Sequence, residues 1–365
     1  MKRKIVIAAA VLLVWMAVPA AAAEVGQAQA EALEVESLEQ AAEEYTGGLD
    51  LTTGTSLDEG LRQILDTGSE QVSGILRQAV RSGVLLLCVV LLTALADGLG
   101  QGLGGSGVDA AALAGALAVT AVAVGDVNIL IGMGRETIEN IGAFSKLLLP
   151  SITAAAAAAG MPGSAVVRQV ITMLFSDILF TLIDKLLLPM VYLYIASSTA
   201  YAAFGNEGLK RIGATLKWAV TGILTALMLI FVAYLTVSGV IAGTTDAVTV
   251  RATKFAVSSV VPVVGGILAD AAETVLAGAG ILRNAVGVFG MLAALAMCIT
   301  PFLQLGIHYL VYKMTSALTA TVAQGRVAGL IDSIGGAFAL VLGMTGACAL
   351  LLLISLISAI SLTVG

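Results

Sequence analysis

W-A-V-T-G-I-L-T-A-L-M-L-I-F-V-A-Y-L-T-V-S-G-V-I, residues 218–241, runs for twenty-four positions without a charged side chain. A helix crosses the hydrocarbon layer in about 20 residues, so this stretch is long enough to span it. It is apolar on every side, which suits lipid better than a two-layer soluble core. Trp218 stands at one end as an interfacial anchor, and Gly239 and Gly243 form a small-xxx-small pair at the other. Immediately before it, residues 206–217 carry Lys210, Arg211 and Lys217 against Glu207. That is the densest basic loop after the N-terminus, and the positive-inside rule makes it cytoplasmic. The whole chain agrees with the local reading: 59% of its residues are hydrophobic and only 12% charged, with a mean hydropathy of +1.02. The expected class is an all-α, polytopic helical membrane protein. No basic stripe of the kind that tracks phosphates is present, so nucleic acid is not an expected partner.

Past this span comes V-S-S-V-V-P-V-V-G-G-I-L-A-D-A, residues 257–271, followed by Glu273 and Arg283. Pro262 frees the carbonyl four residues earlier, and Gly265-Gly266 costs helical order. Asp270 and Glu273 add two carboxylates to an otherwise apolar run. Broken backbone and ionisable groups at membrane depth persist when buried in protein or lining a wet cavity. Pro262, Gly265, Gly266, Asp270 and Glu273 are therefore the candidate functional segment; the alternative is a hinge between two ordinary helices. Residues 286–300 and 302–321 follow, either as two tightly turned spans or as one helix kinked at Pro301. Arg326 and Asp332 read as a polar loop, and residues 334–362 as the last span.

On the N-terminal side, residues 166–204 exceed one crossing and are interrupted by Asp184-Lys185, which predicts two short helices meeting at a turn. Residues 151–163 form an alanine run ended by Gly160, Pro162 and Gly163. Residues 134–149 alternate charged and apolar side chains, as a helix lying in the interface would. The first two spans are placed at 84–103 and 108–131, with Gly98, Gly100, Gly102 and Gly104 as small-xxx-small contacts between them. Asp97, Asp109 and Asp126 read as markers of span ends. Counting predicts six to nine crossings, with seven preferred.

Residues 1–23 have the form of a signal peptide: Lys2, Arg3 and Lys4, an apolar core, then alanines before Glu24. An uncleaved anchor is the other reading of the same residues. Twelve of the chain's 24 Asp and Glu lie between Glu24 and Ser82, against three arginines. This region, residues 24–82, is expected to be exported; 83–365 is the polytopic membrane domain. Residues 24–55 read as a solvated helix and a linker. Ser56 and Glu59 then fit a capping box opening an amphipathic helix over 56–80. Its apolar face would carry Leu57, Leu61, Ile64, Leu65, Val72, Ile75, Leu76 and Ala79. Cys88, Cys298 and Cys348 sit in apolar runs without metal or redox spacing and read as small buried hydrophobes.

No catalytic motif is present: no H-E-x-x-H, no phosphate-binding G-x-x-x-x-G-K-[ST] and no G-x-S-x-G. His308 is the only histidine, which excludes a multi-histidine metal site, and it reads as satisfied by a backbone or interhelical hydrogen bond. No cofactor is expected. Asp270 and Glu273, three apart, would share a helix face, with Arg283 within reach as a partner. They pair structurally, or they form the ion or proton site of an autonomous secondary transporter.

K-L-L-L-P-S-I-T-A-A-A-A-A-A-G (residues 146–160), S-S-V-V-P-V-V-G-G-I-L-A-D-A-A-E-T-V (258–275) and P-F-L-Q-L-G-I-H-Y-L-V-Y-K (301–313) together resemble the stage III sporulation protein AE family of endospore-forming bacteria. The resemblance covers essentially the whole chain after the signal. It implies a non-enzymatic membrane subunit of the channel-like, secretion-like complex that a mother cell assembles against its engulfed forespore. It further implies partners: other membrane and exported subunits, and a separate ATPase. The family supplies no catalytic residues to carry over.

Overall fold

The computed structural model describes residues 35–46, 51–102, 107–158, 171, 174–260, 265–322 and 325–361. Among them there are helices and tight turns, with no strand. Seven helices are numbered here in chain order: α1 Val35–Thr46, α2 Leu57–Gly102, α3 Gly107–Ala158, α4 Leu174–Phe204, α5 Glu207–Val260, α6 Gly265–Thr319 and α7 Gly325–Ser361. All but α1 are long and apolar enough to cross a membrane, which gives six candidate spans among the described residues. The signal residues 1–23 and the start of the acidic region lie outside the described residues, as do 261–264 and Pro262 with them.

The helices are longer than the sequence divisions implied. α3 is a single helix of 52 residues, about 78 Å at the usual rise and far more than a hydrocarbon layer needs. Residues 134–149 are therefore its upright continuation rather than a separate helix lying in the interface. Pro150 sits inside it. α2 likewise joins the amphipathic helix and the first span without a break. Residues 206–217, read as a loop, are the first three turns of α5; the α4–α5 turn is only Gly205 and Asn206. Gly205 takes the left-handed conformation (φ 69°) and its N–H donates to the Tyr201 carbonyl at 2.8 Å, a glycine helix stop. Asn206 then accepts the Gly208 N–H at 2.8 Å and opens α5.

Asp184-Lys185 does not make a turn. Residues Ile183–Leu187 form one π turn within α4, with the Leu188 N–H reaching back five residues to the Ile183 carbonyl. Pro189 explains it, since it offers no N–H to the Lys185 carbonyl and its ring crowds that carbonyl. Arg135 of α3 holds the spot by bridging Asp184 at 2.8 Å and Glu139 at 3.0 Å.

α6 and α7 form an antiparallel hairpin at the centre, making the most extensive helix pair in the molecule. α6 runs through Pro301 as one helix, which resolves the choice the sequence left open. α2 lies parallel to α6 and in step with it: Gly60 faces Leu292, Gly68 faces Ile299, and Gly83 faces Val311 and Thr315. Thr300 donates to Gln71 across the same seam at 2.8 Å. α3 packs on both central helices, placing Phe144 edge-on to Phe289 and Leu148 against Gly290. The α4–α5 pair closes the other side against α7.

The N-terminal elements are docked, not solvated. Leu38 and Ala42 of α1 and Leu51 after it are buried, and Glu39 accepts both the backbone N–H (2.6 Å) and the hydroxyl (2.9 Å) of Thr53. Ser56 caps α2 by accepting the Glu59 N–H at 3.3 Å. The buried stripe of α2 is Gly60, Ile64, Gly68, Ile75, Ala79, Gly83, Leu86 and Val90. Leu57, Leu65 and Leu76, read as part of the apolar face, are exposed.

Candidate functional site

A polar layer crosses the interior where α3, α4, α5, α6 and α7 meet. On α3, Asp126 falls in the buried row with Val119, Ala123 and Leu130, so helical periodicity aims it inward. It is not a span-end marker: the fully buried Tyr312 of α6 donates its hydroxyl to Asp126 Oδ2 at 2.7 Å. The Tyr312 ring meets Phe338 of α7 edge-on at 5.1 Å. α7 can approach this closely because Gly335 lies there, where an added Cβ would sit 3.0 Å from Tyr312 Cβ.

One turn before Tyr312 is His308, also buried. Its Nδ1 lies 2.8 Å from the Gln304 carbonyl. A carbonyl only accepts, so Nδ1 carries the proton and Nε2 is a buried nitrogen with no partner among the described residues. The hydrogen bond read from the sequence is thus present on one ring nitrogen. One residue past Tyr312, Lys313 pairs with Asp332 of α7 and lies over the Tyr309 ring at 6.0 Å. Asp332 is helical, and so is Arg326, so the polar loop expected at 326–332 is instead the first turns of α7. Ser316 donates to the Ala328 carbonyl at 2.8 Å, fastening the same end of the hairpin.

From the α4–α5 side, Tyr194 reaches Gly336: a Cβ there would lie 3.2 Å from its hydroxyl and 3.5 Å from the Lys217 ammonium. Ser197 and Ser198 both donate back to the Tyr194 carbonyl, at 3.0 and 2.8 Å. The layer thus joins one carboxylate–hydroxyl pair, one ion pair and an array of hydroxyls across five helices. The buried Tyr312–Asp126 pair fixes helix register, because any shift would strand it, and the partly exposed Lys313–Asp332 pair fastens the end of the hairpin. Among the described residues no group of three or more His, Cys, Asp or Glu is placed to hold a metal ion.

The segment selected from the sequence lies elsewhere. Pro262 lies outside the described residues. Gly265, Gly266, Asp270 and Glu273 fall in the opening turns of α6, ahead of residue 285 from which its side chains are described. Asp126, Tyr312, Tyr194 and the Lys313–Asp332 pair were missed. The signal for Asp126 was available in its register with the buried row; that for Tyr312 and Lys313 required knowing which helix faces α3. Of the cysteines, Cys298 and Cys348 are buried, but Cys88 is exposed on α2.

Six long apolar helices around a paired polar interior define a polytopic helical membrane protein. The stage III sporulation protein AE family matches residues 51–363, the whole helical body apart from α1, and the chain belongs to that family. The stage III sporulation protein AE of Bacillus subtilis (strain 168) is 26% identical over 215 residues, covering 58% of this chain and 53% of the relative. The match thus spans about half the length of that curated relative. No solved structure matches the chain.

Proposed function

We propose that this protein is a non-enzymatic membrane subunit of a sporulation channel or secretion-like complex linking mother cell and forespore, and that it supports late forespore development. The observation that carries the reading is the family match over residues 51–363. The pairing of polar groups supports a scaffold role, since Asp126 is held by Tyr312 in the interior and Lys313 by the partly exposed Asp332, giving a bundle on which partners can assemble. In this reading residues 1–23 are a signal peptide, residues 24–82 face the extracytoplasmic side and residues 83–365 form the membrane domain. The basic start of α5 and the α6–α7 turn then face the mother-cell cytoplasm. Other membrane and exported subunits and a separate ATPase complete the complex, and oligomerisation of this subunit is compatible with it. The segment containing Pro262, Gly265, Gly266, Asp270 and Glu273 is its candidate functional element.

The test is a clean deletion in the native host, scored by heat-resistant spore titre and a late forespore reporter, with vegetative growth as control. Arrest after engulfment with normal growth is expected. Complementation with an Asp270→Asn, Glu273→Gln double variant should restore membrane insertion but not spore titre. Normal sporulation of the deletion strain would discard the proposal, and full rescue by the double variant would remove the 262–273 segment from it.

A further inference from the structure

A cleft of about 290 Å³ opens between α3 and α4, lined by Ser145, Lys146, Leu149, Leu174, Ser176 and Asp177. Serine and threonine hydroxyls in these helices commonly bond back to a carbonyl of the preceding turn, as Thr120, Thr137, Ser198, Thr345 and Ser355 do. Ser145 and Ser176 do not. Both are buried, at 2% and 5% exposure, and neither hydroxyl oxygen has a hydrogen-bond partner among the described residues. Two orphaned hydroxyls converging on one cleft are costly unless a ligand satisfies them.

At the mouth, Lys146 and Asp177 pair at 3.3 Å, both two-thirds exposed. The rim therefore carries one fixed cation and one fixed anion, with acceptors behind them. Leu147, Leu174 and Ile178 stand exposed alongside, an apolar flank continuous with the membrane-facing surface of α3 and α4. The cleft lies at the far end of this helix pair from the Gly205–Asn206 turn, as the contacts Thr120–Thr199, Arg135–Asp184 and Lys146–Asp177 in sequence require.

From this geometry we infer that the α3–α4 cleft binds the headgroup of a zwitterionic phospholipid with a primary ammonium, of the phosphatidylethanolamine type. The ammonium donates to Asp177 and to the serine oxygens, the phosphate meets the Lys146 side chain, and the acyl chains lie along the leucine flank. A purely anionic headgroup would satisfy Lys146 but face Asp177. A quaternary ammonium would bring no N–H for the acceptors.

The test uses the full-length protein, delipidated in detergent, with retained lipid counted by native mass spectrometry. Phosphatidylethanolamine, phosphatidylcholine and phosphatidylglycerol of one acyl composition are offered in competition, and free phosphoethanolamine is added in a separate arm. About tenfold preferential retention of phosphatidylethanolamine is expected, falling to near parity in Asp177→Asn and in the Ser145→Ala, Ser176→Ala double variant. Lys146 and Asp177 are exposed, so a lipid-free unfolding midpoint equal to wild type is expected for Asp177→Asn and separates lost binding from lost fold. Equal retention of the three lipids, or unchanged preference in Asp177→Asn, would overturn the inference. Displacement by equimolar free phosphoethanolamine would overturn the lipid source and assign the cleft to a soluble ligand.

Discussion

Over their described side chains, residues 325–353 of α7 and 207–234 of α5 are nearly equal in hydropathy, yet two-thirds (67%) of the most apolar window of α7 is buried in the protein and only 11% of that of α5. Hydropathy therefore settles that both helices can cross a membrane and says nothing about which one the others pack around. The difference lies in small and polar residues. α7 carries Gly335 and Gly336 where Tyr312 and Tyr194 approach, and Asp332, Ser333 and Thr345 along its length. α5 presents Trp218, Leu229, Ile230 and Val232 outward. In a bilayer the lipid is as apolar as leucine, so leucine gives no reason for helices to associate; close approach and hydrogen bonds do.

That contrast can be broken by substitution, and the largest effect belongs to the central hairpin. Phe338→Ala removes a fully buried ring that packs on both His308 and Tyr312, and should cost about 3–5 kcal/mol. Leu229→Ala on α5, at 65% exposure, should stay within about 0.5 kcal/mol. Thermal unfolding in one detergent compares the two, and equal losses would erase the distinction between core and lipid-facing helices.

A smaller effect is expected in the polar layer. Tyr312→Phe leaves the Asp126 carboxyl without its donor, at a cost of about 1–3 kcal/mol. Adding Asp126→Leu to Tyr312→Phe should recover most of that loss, because removing both partners leaves no stranded group. Additive losses in this double-mutant cycle would mean that the two residues act independently. Most local is the α2–α6 seam. Gly83→Leu drives a side chain into Val311 and Thr315 and should cost about 1–3 kcal/mol, whereas Gly98→Leu meets nothing within 4 Å among the described residues and should be silent. Unfolding midpoints of the two variants sharpen the claim that glycine, not leucine, sets this register.

The same contrast shows what could be read beforehand. Helical membrane class and the Ser56 cap were legible because they rest on local rules: length of apolar runs and capping chemistry. The π turn at Ile183–Leu187 was not, since a helix can absorb a proline by changing register instead of breaking, and the sequence alone marks only the disturbance. The α2 stripe was half legible: Ile64, Ile75 and Ala79 were on the predicted face, but Gly60, Gly68 and Gly83 complete it, and glycine is invisible to a search for apolar side chains. Asp126 was set aside as a boundary charge because its partner lies 186 residues away. Long-range pairs of that kind are where reading along the chain stops.

In a scaffold of this kind the buried Asp126 is tied to the Tyr312 hydroxyl and not to a passing ion. Purified protein in proteoliposomes, with an internal pH-sensitive dye and an imposed potassium diffusion potential, tests it most directly. The wild type alone should show proton entry no faster than empty vesicles, and Asp126→Asn should match it. Proton flux above the vesicle background that disappears in Asp126→Asn would contradict the scaffold and make the polar layer a transport path.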